Sequence, residues 1–443
     1  MVQKKKKVSS DFRYDTGVAR IPWAAVGEPV NEQDVLEIIK FLLPSAVGKN
    51  KAYSEQFKRV MNEVKKLRSS AMSAGKLSLG SNVQMLEQEV AKMLRAKHAL
   101  FVTNATAGFE IAYKFAGLKP GDEVIAPSIT FIATIAYPLS IGAKVVLADV
   151  DPRTVNMDPK DVKKKITRKT KVIIPVHIGG YPVDMDPIMQ MARKHDITVI
   201  EDAAHAFGSV YKGKMAGAIG HFGSFSFHEV KNINALGEGG ILVSNTPFGK
   251  DFAKSRFLGI DMSRQIKNWL YDAVALRSKS GWFAPGNHSA TEIQAICLLQ
   301  QMKRLKSIIA KRGKAALYLT SRFSKEDGII TPPCDTAKIK SSHHLYLLQI
   351  DPEKVGGDIQ TLKKKLMDKG IVNIPHFAPL YKFSIMRQLG YDTRAIEKTC
   401  PVTEEVFNRR FTHLPLYNFS REDLKYLADA VVDSVKEMKR GMK

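Results

Sequence analysis

The sequence predicts an α/β protein: a large domain with a mainly parallel sheet covered by helices, followed by a smaller α+β domain. Two observations lead to this prediction. From about residue 82, short apolar segments alternate with helical patterns, as in parallel strands joined by crossover helices. Near residue 315 this alternation gives way to a mixed order of strand and helix. We therefore expect a tail and helical segment over 1–80, the large domain over 81–315 and the small domain over 316–443.

The N-terminal part of the chain contains two predicted helices. Residues 1 to about 20 are interpreted as a tail, and residues 31–43 as the first helix. In the second helix, apolar side chains recur at i, i+3, i+4 and i+7, the spacing of one helix face: Phe57, Val60, Met61 and Val64. The stretch 69–80 is rich in small residues and predicts a loop.

The predicted strands of the large domain are short apolar runs, at 99–102, 123–126, 144–147, 171–175, 197–200, 224–227 and 240–243. Asn104 is positioned to cap a helix in which Phe109, Ala112, Tyr113 and Ala116 share one face. In the small domain we expect a strand at 344–350, a helix at 358–369 and a last helix that starts at Ser420.

The composition is that of a globular protein: 443 residues, 44% apolar and 25% charged. The 68 Lys and Arg outnumber the 44 Asp and Glu, which gives a net charge of +24. The positive electrostatic potential of such a protein favours anionic partners. No helix-turn-helix or zinc-finger spacing accompanies it, so we interpret the basic runs as solvated helix faces and expect no nucleic-acid partner.

The cysteines and the apolar stretches indicate where in the cell the protein is located. Cys297, Cys334 and Cys400 are odd in number and widely spaced, which argues against a disulfide framework or a metal site and fits a reducing cytoplasm. The basic N-terminus lacks the apolar stretch of a signal peptide. Residues 124–143 are uncharged and long enough to span a membrane, but Pro127 and Pro138 interrupt them. We predict a buried strand and helix there, and no membrane partner.

Four segments follow predicted strands, where ligands bind in open α/β sheets. The turn 103–107 opens a helix whose free N–H groups favour a phosphate, and Thr106 could add a hydroxyl. The segment 201–205 puts carboxylates at a buried strand end, where a cationic partner is needed. Lys231 leaves a strand among apolar residues, which lowers an amine pKa. Phe131 could stack on a flat cofactor.

Each segment also has an ordinary structural interpretation. The turn could be a helix cap, the carboxylate a structural ion pair, and Phe131 or His205 a core residue. Taken together, the segments supply a phosphate site, a stacking ring, an acid for a ring nitrogen and an amine for an aldehyde. This combination, on successive strand ends of one sheet, predicts a pyridoxal 5'-phosphate (PLP) enzyme whose cofactor forms a Schiff base with Lys231.

The chain resembles the DegT-type (DegT/StrS) sugar aminotransferases, PLP enzymes of fold type I. The strongest similarity is Ser-Phe-His-Glu-Val-Lys-Asn at 226–232, followed by Gly-Glu-Gly-Gly at 237–240. Further similar stretches are 121–128, 149–152, 174–177, 180–186, 201–204, 291–295, 375–376 and 413–416. The resemblance runs from about residue 75 to the end.

The resemblance implies a role for each site residue. Lys231 would bind the cofactor and move the proton, Asp202 would pair with the pyridine nitrogen, and Phe131 would stack on the ring. His205 would lie near the other ring face or the phenolic oxygen. The phosphate would be bound by a set of three residues and by one residue from the neighbouring subunit: Ala105, Thr106 and Ser226, and then Asn287. The sequence departs from the family pattern at Ala105, where glycine is usual, and at 44–74, which looks like an inserted helix.

The resemblance implies a homodimer with shared active sites, because the aromatic-rich loop 281–289 carries Asn287 just before a helix. The alternative is that Asn287 caps that helix. The implied reaction moves an amino group from an amino acid, L-glutamate by family likeness, to a keto-sugar that is nucleotide-linked or otherwise phosphorylated. Two other functions stay open: a sugar dehydrase, against which Lys231 argues because those relatives have His there, and a non-catalytic PLP-binding regulator.

Overall fold

A computed structural model describes residues 30–45, 50–70, 77–248, 250–261, 273–372 and 377–442. The chain divides into two compact units, Met1–Ser81 and Asn82–Lys443. The predicted tail lies outside the described residues, as do the family-like residues 375–376. The predicted domain boundary near 315 falls within a helix over Leu305–Phe323, and the division of the second unit there stays a prediction.

The first unit contains the two predicted helices, α1 (Glu32–Leu42) and α2 (Lys51–Ser70). Asn31 caps α1: its side chain accepts the N–H of Asp34, whose carboxylate accepts the N–H of Asn31. The hydroxyl of Tyr53 in α2 donates to the carbonyl of Leu43 at 2.7 Å, which joins the start of α2 to the end of α1. Both helix predictions are confirmed.

The remaining helices lie along the rest of the described chain. They are α3 (Ser81–Leu94), α4 (Ala105–Ala116), α5 (Ala136–Ser140), α6 (Pro159–Lys165), α7 (Met185–His195), α8 (Lys250–Lys254), α9 (Glu292–Met302), α10 (Leu305–Phe323), α11 (Pro352–Val355), α12 (Ile359–Asp368), α13 (Ser384–Gln388), α14 (Thr393–Lys398), α15 (Pro401–Glu405) and α16 (Arg421–Arg440).

The strands are β1 (His98–Val102), β2 (Glu123–Pro127), β3 (Ile129–Thr130), β4 (Lys144–Ala148), β5 (Thr170–Ile173), β6 (Thr198–Asp202), β7 (Val210–Tyr211), β8 (Lys214–Met215), β9 (Phe222–Ser226), β10 (Gly240–Ser244), β11 (Leu276–Ser278), β12 (Gly281–Phe283), β13 (Ile329–Ile330), β14 (Ile339–Lys340), β15 (Leu345–Ile350), β16 (Ala378–Pro379) and β17 (Phe411–Pro415). Every strand predicted for the large domain is present within a few residues.

A seven-stranded sheet in the order β1-β10-β9-β6-β5-β2-β4 forms the centre of the second unit. The pairs from β9 through β4 are parallel, while β10 runs antiparallel to both of its neighbours. The sheet is therefore mainly parallel, as predicted. Such a sheet is covered on both faces, which explains the nearly continuous apolar runs in β2 and β4 and the burial of every residue of β6.

Helix α4 packs against the sheet and is buried around nearly its whole circumference, beyond the single predicted face. Phe115 on α4 contacts several rings at centroid distances of 4.3–6.2 Å: Phe222, Phe248, Phe252 and Phe283. Gly108 permits the close approach, because a Cβ there would lie 2.2 Å from Oγ of Ser224 on β9. This packing fixes the start of α4 relative to the end of β1.

The C-terminal part forms a second, smaller sheet in the order β13-β15-β17. Its core contains buried side chains from α10, α12 and α16, including Phe323, Leu362 and Val431. Helix α12 and the Ser420-capped α16 occur as predicted. The predicted strand 344–350 starts one residue later, because the His344 backbone N–H bonds to Gly179 instead of entering the sheet.

Two short strand pairs join the C-terminal part to the large sheet region. β16 pairs with β3, and β14 pairs with β7, both antiparallel. The predicted loop 281–289 begins as a strand, because β12 pairs with β11. Residues 124–143 contain β2, β3 and α5, in agreement with the predicted strand and helix. Among the described residues, no helix has both the length and the apolar character to cross a membrane.

Candidate active site

The parallel strands of the main sheet place their carboxyl ends along one edge. Because β10 is antiparallel to both β1 and β9, β1 runs in the same direction as the other parallel strands. The predicted phosphate turn, acid and amine lie at the ends of β1, β6 and β9 or just after them. The segment that leads to Phe131 follows β2 and contains β3, which pairs with β16 outside the main sheet.

Asp202 is the last residue of β6 and is buried. Its Oδ2 accepts a hydrogen bond from Oγ1 of Thr134 at 2.7 Å, and its Oδ1 accepts one from the N–H of Ala204 at 3.1 Å. Burial raises the pKa of the Asp202 carboxyl above its usual value, while these two hydrogen bonds and the charge of Lys231 act in the opposite direction. A buried carboxylate of this kind is stabilised by a cationic partner.

A chain of hydroxyl groups leads to Asp202. Since Thr134 donates to Asp202, its oxygen must accept from Thr130 Oγ1, which lies 2.9 Å away. The hydroxyl of Tyr113 donates to the Thr134 carbonyl at 2.8 Å. Burial and the nearby Asp202 hold the pKa of Tyr113 well above its usual value, so the phenol stays protonated. These contacts join α4 and the segment after β3 to the end of β6.

Glu201, the neighbour of Asp202, points into a different environment and is completely buried. It accepts backbone N–H groups of Gly217, Ile219 and Gly220 at 2.5–2.7 Å. Its Oε2 lies 2.9 Å from Nε2 of His177, whose Nδ1 accepts the N–H of Val183. Nε2 therefore carries the proton that His177 donates to Glu201. These bonds make Glu201 a structural anchor of β6, and leave Asp202 as the carboxylate of the site.

Lys231 lies in a turn after β9, with its N–H bonded to the His228 carbonyl at 2.9 Å. Burial lowers the pKa of its amine to about 8, against an opposite effect from the Asp202 charge. Among the residues that the structure describes, Nζ has no hydrogen bond or ion pair. The structure thus brings the predicted amine and the predicted acid into electrostatic contact.

The predicted phosphate turn is the start of α4. Asn104 caps the helix by accepting the Ala107 N–H at 3.0 Å, and the first N–H groups of a helix have no partner within it. Ala105 is the first helical residue, so alanine fits there without the positive φ that would require glycine. The Ala105 carbonyl accepts from Oγ of Ser224 at 3.0 Å, which ties the turn to β9.

Gly240 at the start of β10 allows the strand to pass close behind this turn. A Cβ there would lie 2.3 Å from the Asn104 carbonyl carbon and 2.6 Å from the Ala105 nitrogen. These are backbone atoms, which cannot rotate away as a side chain could. The last glycine of the family-like run 237–240 therefore has a steric role at the predicted phosphate turn.

Phe131 follows β3 and precedes a 3₁₀ turn over Ile132–Ile135. Its side chain is 58% exposed, which does not support the core interpretation and leaves a ring face available. The pairing of β3 with β16 holds this segment. Thr134 in the same turn donates to Asp202. The segment that carries Phe131 is therefore joined to β6, the strand that carries the acid.

His205 lies in the turn after β6. Its Nδ1 accepts the N–H of Gly179 at 3.4 Å, and its ring lies 4.4 Å from the ring of His344. His344 was predicted only as part of a strand, so this pair was missed. The only signal for it in the sequence is the paired histidines 343 and 344 before an apolar run.

Asn232 is a second residue to which the sequence assigned no role. Its Nδ2 donates to the carbonyl of Ser342 at 2.7 Å, and its Oδ1 lies 3.0 Å from Nδ1 of His344. The residue next to Lys231 is thereby joined to the C-terminal part of the chain. Its place in the family-like stretch 226–232 was the available signal.

The hydrogen bonds of the Ser226 and Asn287 side chains are to nearby backbone N–H groups and do not involve Asp202. Ser226 ends β9, and its Oγ accepts the N–H of His228 at 3.3 Å. Asn287 is exposed and accepts the N–H of Ser289. It does not cap α9, whose N-cap is Thr291, so the capping alternative is wrong. The adjacent His288 carbonyl accepts from Thr103 at 3.1 Å.

Within the described ranges, no cluster of three or more His, Cys, Asp or Glu side chains could hold a metal ion. The cysteines at 297, 334 and 400 are free thiols. The groups at the sheet edge are instead an acid, an amine, an aromatic ring and a helix N-terminus.

The sequence profile of the DegT/DnrJ/EryC1/StrS aminotransferase family matches residues 58–432. The chain belongs to this family. Spore coat polysaccharide biosynthesis protein SpsC of Bacillus subtilis is 35% identical over 376 residues, which cover 82% of this chain and 92% of SpsC. A pleiotropic regulatory protein of Geobacillus stearothermophilus is 29% identical and covers 86% of this chain and 96% of its own length.

Solved structures of the same family agree with the fold. The putative sugar aminotransferase Spr1654 of Streptococcus pneumoniae, in its PMP form, superposes with a TM-score of 0.72 at 27% identity, over 86% of this chain and 95% of that one. The same protein is known in a PLP form. This chain is accordingly a PLP-dependent aminotransferase of the sugar aminotransferase family, with the fold that the sequence predicted.

The residues of this aminotransferase fit PLP. Asp202 is a buried carboxylate that lacks an ion-pair partner within 4.0 Å among the described residues and would suit a protonated ring nitrogen. Lys231 is an amine with a pKa of about 8, which suits reaction with an aldehyde. Phe131 exposes its ring, and the start of α4 offers N–H groups to a phosphate.

Proposed function

We propose that this aminotransferase transfers the amino group of L-glutamate to a keto-sugar, and that the sugar is linked to a nucleotide. The product would be an amino-sugar for polysaccharide biosynthesis, as the name of SpsC suggests for that relative. The observation that carries the proposal is Lys231: a partly buried amine in the turn after β9, whose charge interacts with that of Asp202.

Each site residue has a proposed role. Lys231 binds the cofactor covalently and then moves the donor's Cα proton on Nζ. Asp202 holds the proton of the pyridine nitrogen, and Thr134 fixes the carboxylate by donating to it. Phe131 stacks on one ring face, with His205 near the other face or the phenolic oxygen.

Phosphate binding is assigned to residues at the carboxyl ends of β1 and β9, the two strands on either side of β10. Ala105 offers its backbone N–H, while Thr106 and Ser226 offer hydroxyls. When bound, PLP supplies an electron sink and carries the amino group between substrates. The protein supplies positioning and the protonation states of these side chains.

We also propose a homodimer in which Asn287 reaches the phosphate of the partner's site. Asn287 is exposed, and Trp282, five residues earlier, is 72% exposed despite being a large aromatic residue. Exposed aromatic residues of this kind are enriched where subunits meet. A cytoplasmic location is part of the proposal and is compatible with three unpaired cysteines.

The experiment that tests the proposal is a half-reaction. Purified enzyme with PLP is mixed with L-glutamate, and 2-oxoglutarate and the pyridoxamine form of the cofactor are measured. That form is then offered keto-sugars, nucleotide-linked and free. Borohydride should attach the cofactor to the peptide that contains Lys231, and Lys231→Ala should abolish both half-reactions. A label on another lysine would reject the assigned role.

The two other functions make different predictions. A dehydrase would eliminate water from a sugar without consuming an amino donor, but those relatives have His where this chain has Lys231. Two observations favour a regulator: the net charge of +24 and the name of the Geobacillus relative. It would retain DNA in a salt-dependent way and turn over none of the amino donors.

A further inference from the structure

The side chain next to Lys231 is held by the C-terminal part of the chain. Asn232 Nδ2 donates to the Ser342 carbonyl at 2.7 Å, and Asn232 Oδ1 lies 3.0 Å from His344 Nδ1. The partners are 110 and 112 residues away in sequence. Both polar atoms of the amide are thus engaged, and both bonds lead to one short segment, 342–344.

The direction of each bond follows from the chemistry of the groups. The Ser342 carbonyl can only accept, so the amide nitrogen of Asn232 must face it. Oδ1 then faces His344 and can only accept, so Nδ1 of His344 carries a proton and donates it. A residue without an N–H at this place could not replace His344 in the bond.

The segment 342–344 is itself fixed from several sides. The His344 N–H bonds to Gly179 at 3.0 Å, and its carbonyl accepts from Arg312 at 3.3 Å. The His344 ring packs 4.4 Å from the ring of His205. Oγ of Ser342 donates to the His205 carbonyl at 2.6 Å. Asn232 is therefore attached to a rigid support that also contacts a second proposed site residue.

The turn that carries Lys231 has less support of its own. Its neighbours Glu229 and Val230 are exposed, and its local bonds are those of Lys231 to His228 and of Glu229 to Gly237. Asn232 is the residue at which this turn is joined to the C-terminal part. Loss of that attachment would leave the turn held by its local contacts and by the bonds of the Asn234 backbone to Gln301 on α9.

We propose that Asn232 and His344 are positioning residues for Lys231, because their hydrogen bond holds the lysine turn against the segment 342–344. The proposal rests on the proposed role of Lys231 in moving the proton. A proton acceptor that is displaced by about 1 Å can lose about 100-fold in rate. The bond would therefore act on the proton-transfer step and leave substrate binding largely unchanged.

The test uses the holoenzyme and two single variants. Asn232→Ala removes both bonds of the amide, while His344→Phe keeps a ring against His205 and removes the N–H that donates to Asn232. We expect each variant to slow the half-reaction with the amino donor by about 100-fold with a nearly unchanged KM. The deuterium isotope effect with an α-deuterated donor should rise, since proton transfer becomes more rate-limiting. The double variant should be no slower than either single one.

A second readout does not depend on turnover. The rate at which cofactor-free protein captures PLP, followed by visible absorbance, should fall in both variants because the same amine must be aligned for it. Asn234→Ala is the matched control: Asn234 lies in the same loop, and among the described residues its side-chain Oδ1 accepts only from the nearby Leu236 N–H at 3.2 Å. Its half-reaction rate, isotope effect and capture rate should match those of the wild type.

The outcomes separate this proposal from the proposed function. If borohydride labels Lys231 but His344→Phe and Asn232→Ala keep normal rates and isotope effects, the positioning role is wrong and the role of Lys231 stands. A fall in kcat with an unchanged isotope effect and a lower melting temperature would also overturn it, in favour of general destabilisation. If the wild type is not labelled at Lys231, the proposed function itself fails. Should Asn232→Ala not fold, His344→Phe decides alone.

Discussion

At the scale of single residues, the environment of Lys231 sets the reactivity of its amine. An ordinary lysine is almost wholly protonated near neutral pH and cannot attack an aldehyde. Burial lowers the pKa of Lys231 to about 8, and the charge of Asp202 opposes that shift. The amine is therefore protonated below about pH 8 and becomes a nucleophile above it.

This leads to a prediction about pH. The rate at which cofactor-free protein captures PLP should rise with pH, with a midpoint near the pKa of about 8, and level off above it. In Asp202→Asn the midpoint should move to lower pH, because the carboxylate that favours the protonated amine is gone. Stopped-flow absorbance over a pH series measures both midpoints. A midpoint at the ordinary lysine pKa would contradict the effect of burial.

Asp202 carries the second residue-scale prediction. Asp202→Asn keeps the shape of the side chain but removes the charge that would hold a proton on the pyridine nitrogen. Turnover should fall by about 100-fold, as is typical when a preorganised electrostatic contact is removed, while PLP affinity should fall far less. The ratio of the two effects, from kcat and from cofactor titration, is the measurement. Glu201→Gln, by contrast, should mainly lower stability, since Glu201 accepts buried backbone N–H groups.

At the scale of elements, the glycine at the start of β10 determines how closely two backbones approach. A Cβ at Gly240 would lie within 2.6 Å of backbone atoms of Asn104 and Ala105. Gly240→Ala should therefore displace the phosphate turn, weaken PLP binding and lower the free energy of unfolding by about 1–3 kcal/mol, as overpacking does. Equilibrium dialysis and denaturant unfolding measure the two quantities.

A second glycine provides the control for that prediction. Gly121 has a φ of +82° and nothing within 4 Å of its Cβ position. Gly121→Ala should lower stability through backbone strain alone, with no change in PLP affinity. Equal losses of PLP affinity in the two variants would show that the effect at Gly240 is not a local one at the phosphate turn.

The elements of the large domain were predictable because their signals are local. A continuous apolar run marks a strand that is buried on both faces, and β2 and β4 occur where such runs lie. The start of β12 at Gly281 was not predicted, since a short exposed strand has no apolar pattern. The buried circumference of α4 was underestimated, because the sequence shows which residues are apolar but not what surrounds the helix.

The site shows the same division between local and long-range information. Lys231, Asp202 and Phe131 could be selected because each follows a recognisable strand. The bond between Asn232 and His344 could not be predicted, because it joins residues 112 positions apart. Thr134 lies in the stretch 124–143, for which the sequence predicts only a buried strand and helix, and its bond to Asp202 depends on how two strand ends meet.

At the scale of the whole molecule, the proposed dimer can be tested by mixing two inactive variants. Lys231→Ala lacks the amine, and Asn287→Ala lacks the amide proposed to reach the partner's phosphate. A heterodimer would place both defects in one site and leave the other site intact, because each subunit of a two-fold dimer lends the same patch. Activity should therefore reappear after the variants are mixed under conditions that exchange subunits.

The control for the mixing experiment is a pair of defects in one chain. The double variant Lys231→Ala/Asn287→Ala mixed with wild type should give no more activity than the wild type contributes. If heterodimers form between the single variants and activity stays absent, Asn287 acts within its own chain. The exposed position of Asn287, outside the cap of α9, would then need another explanation.

The neighbour of β1 in the main sheet has a consequence for folding during synthesis. β1 (His98–Val102) pairs with β10 (Gly240–Ser244). During synthesis, the edge strand β1 therefore stays unpaired until the ribosome has added more than a hundred further residues. Such non-local pairing slows folding, and an unpaired apolar strand invites aggregation in the meantime. The turn after β1 is completed by Gly240 on the same partner strand. A nascent chain arrested before residue 240 should therefore lack the phosphate turn and depend on chaperones.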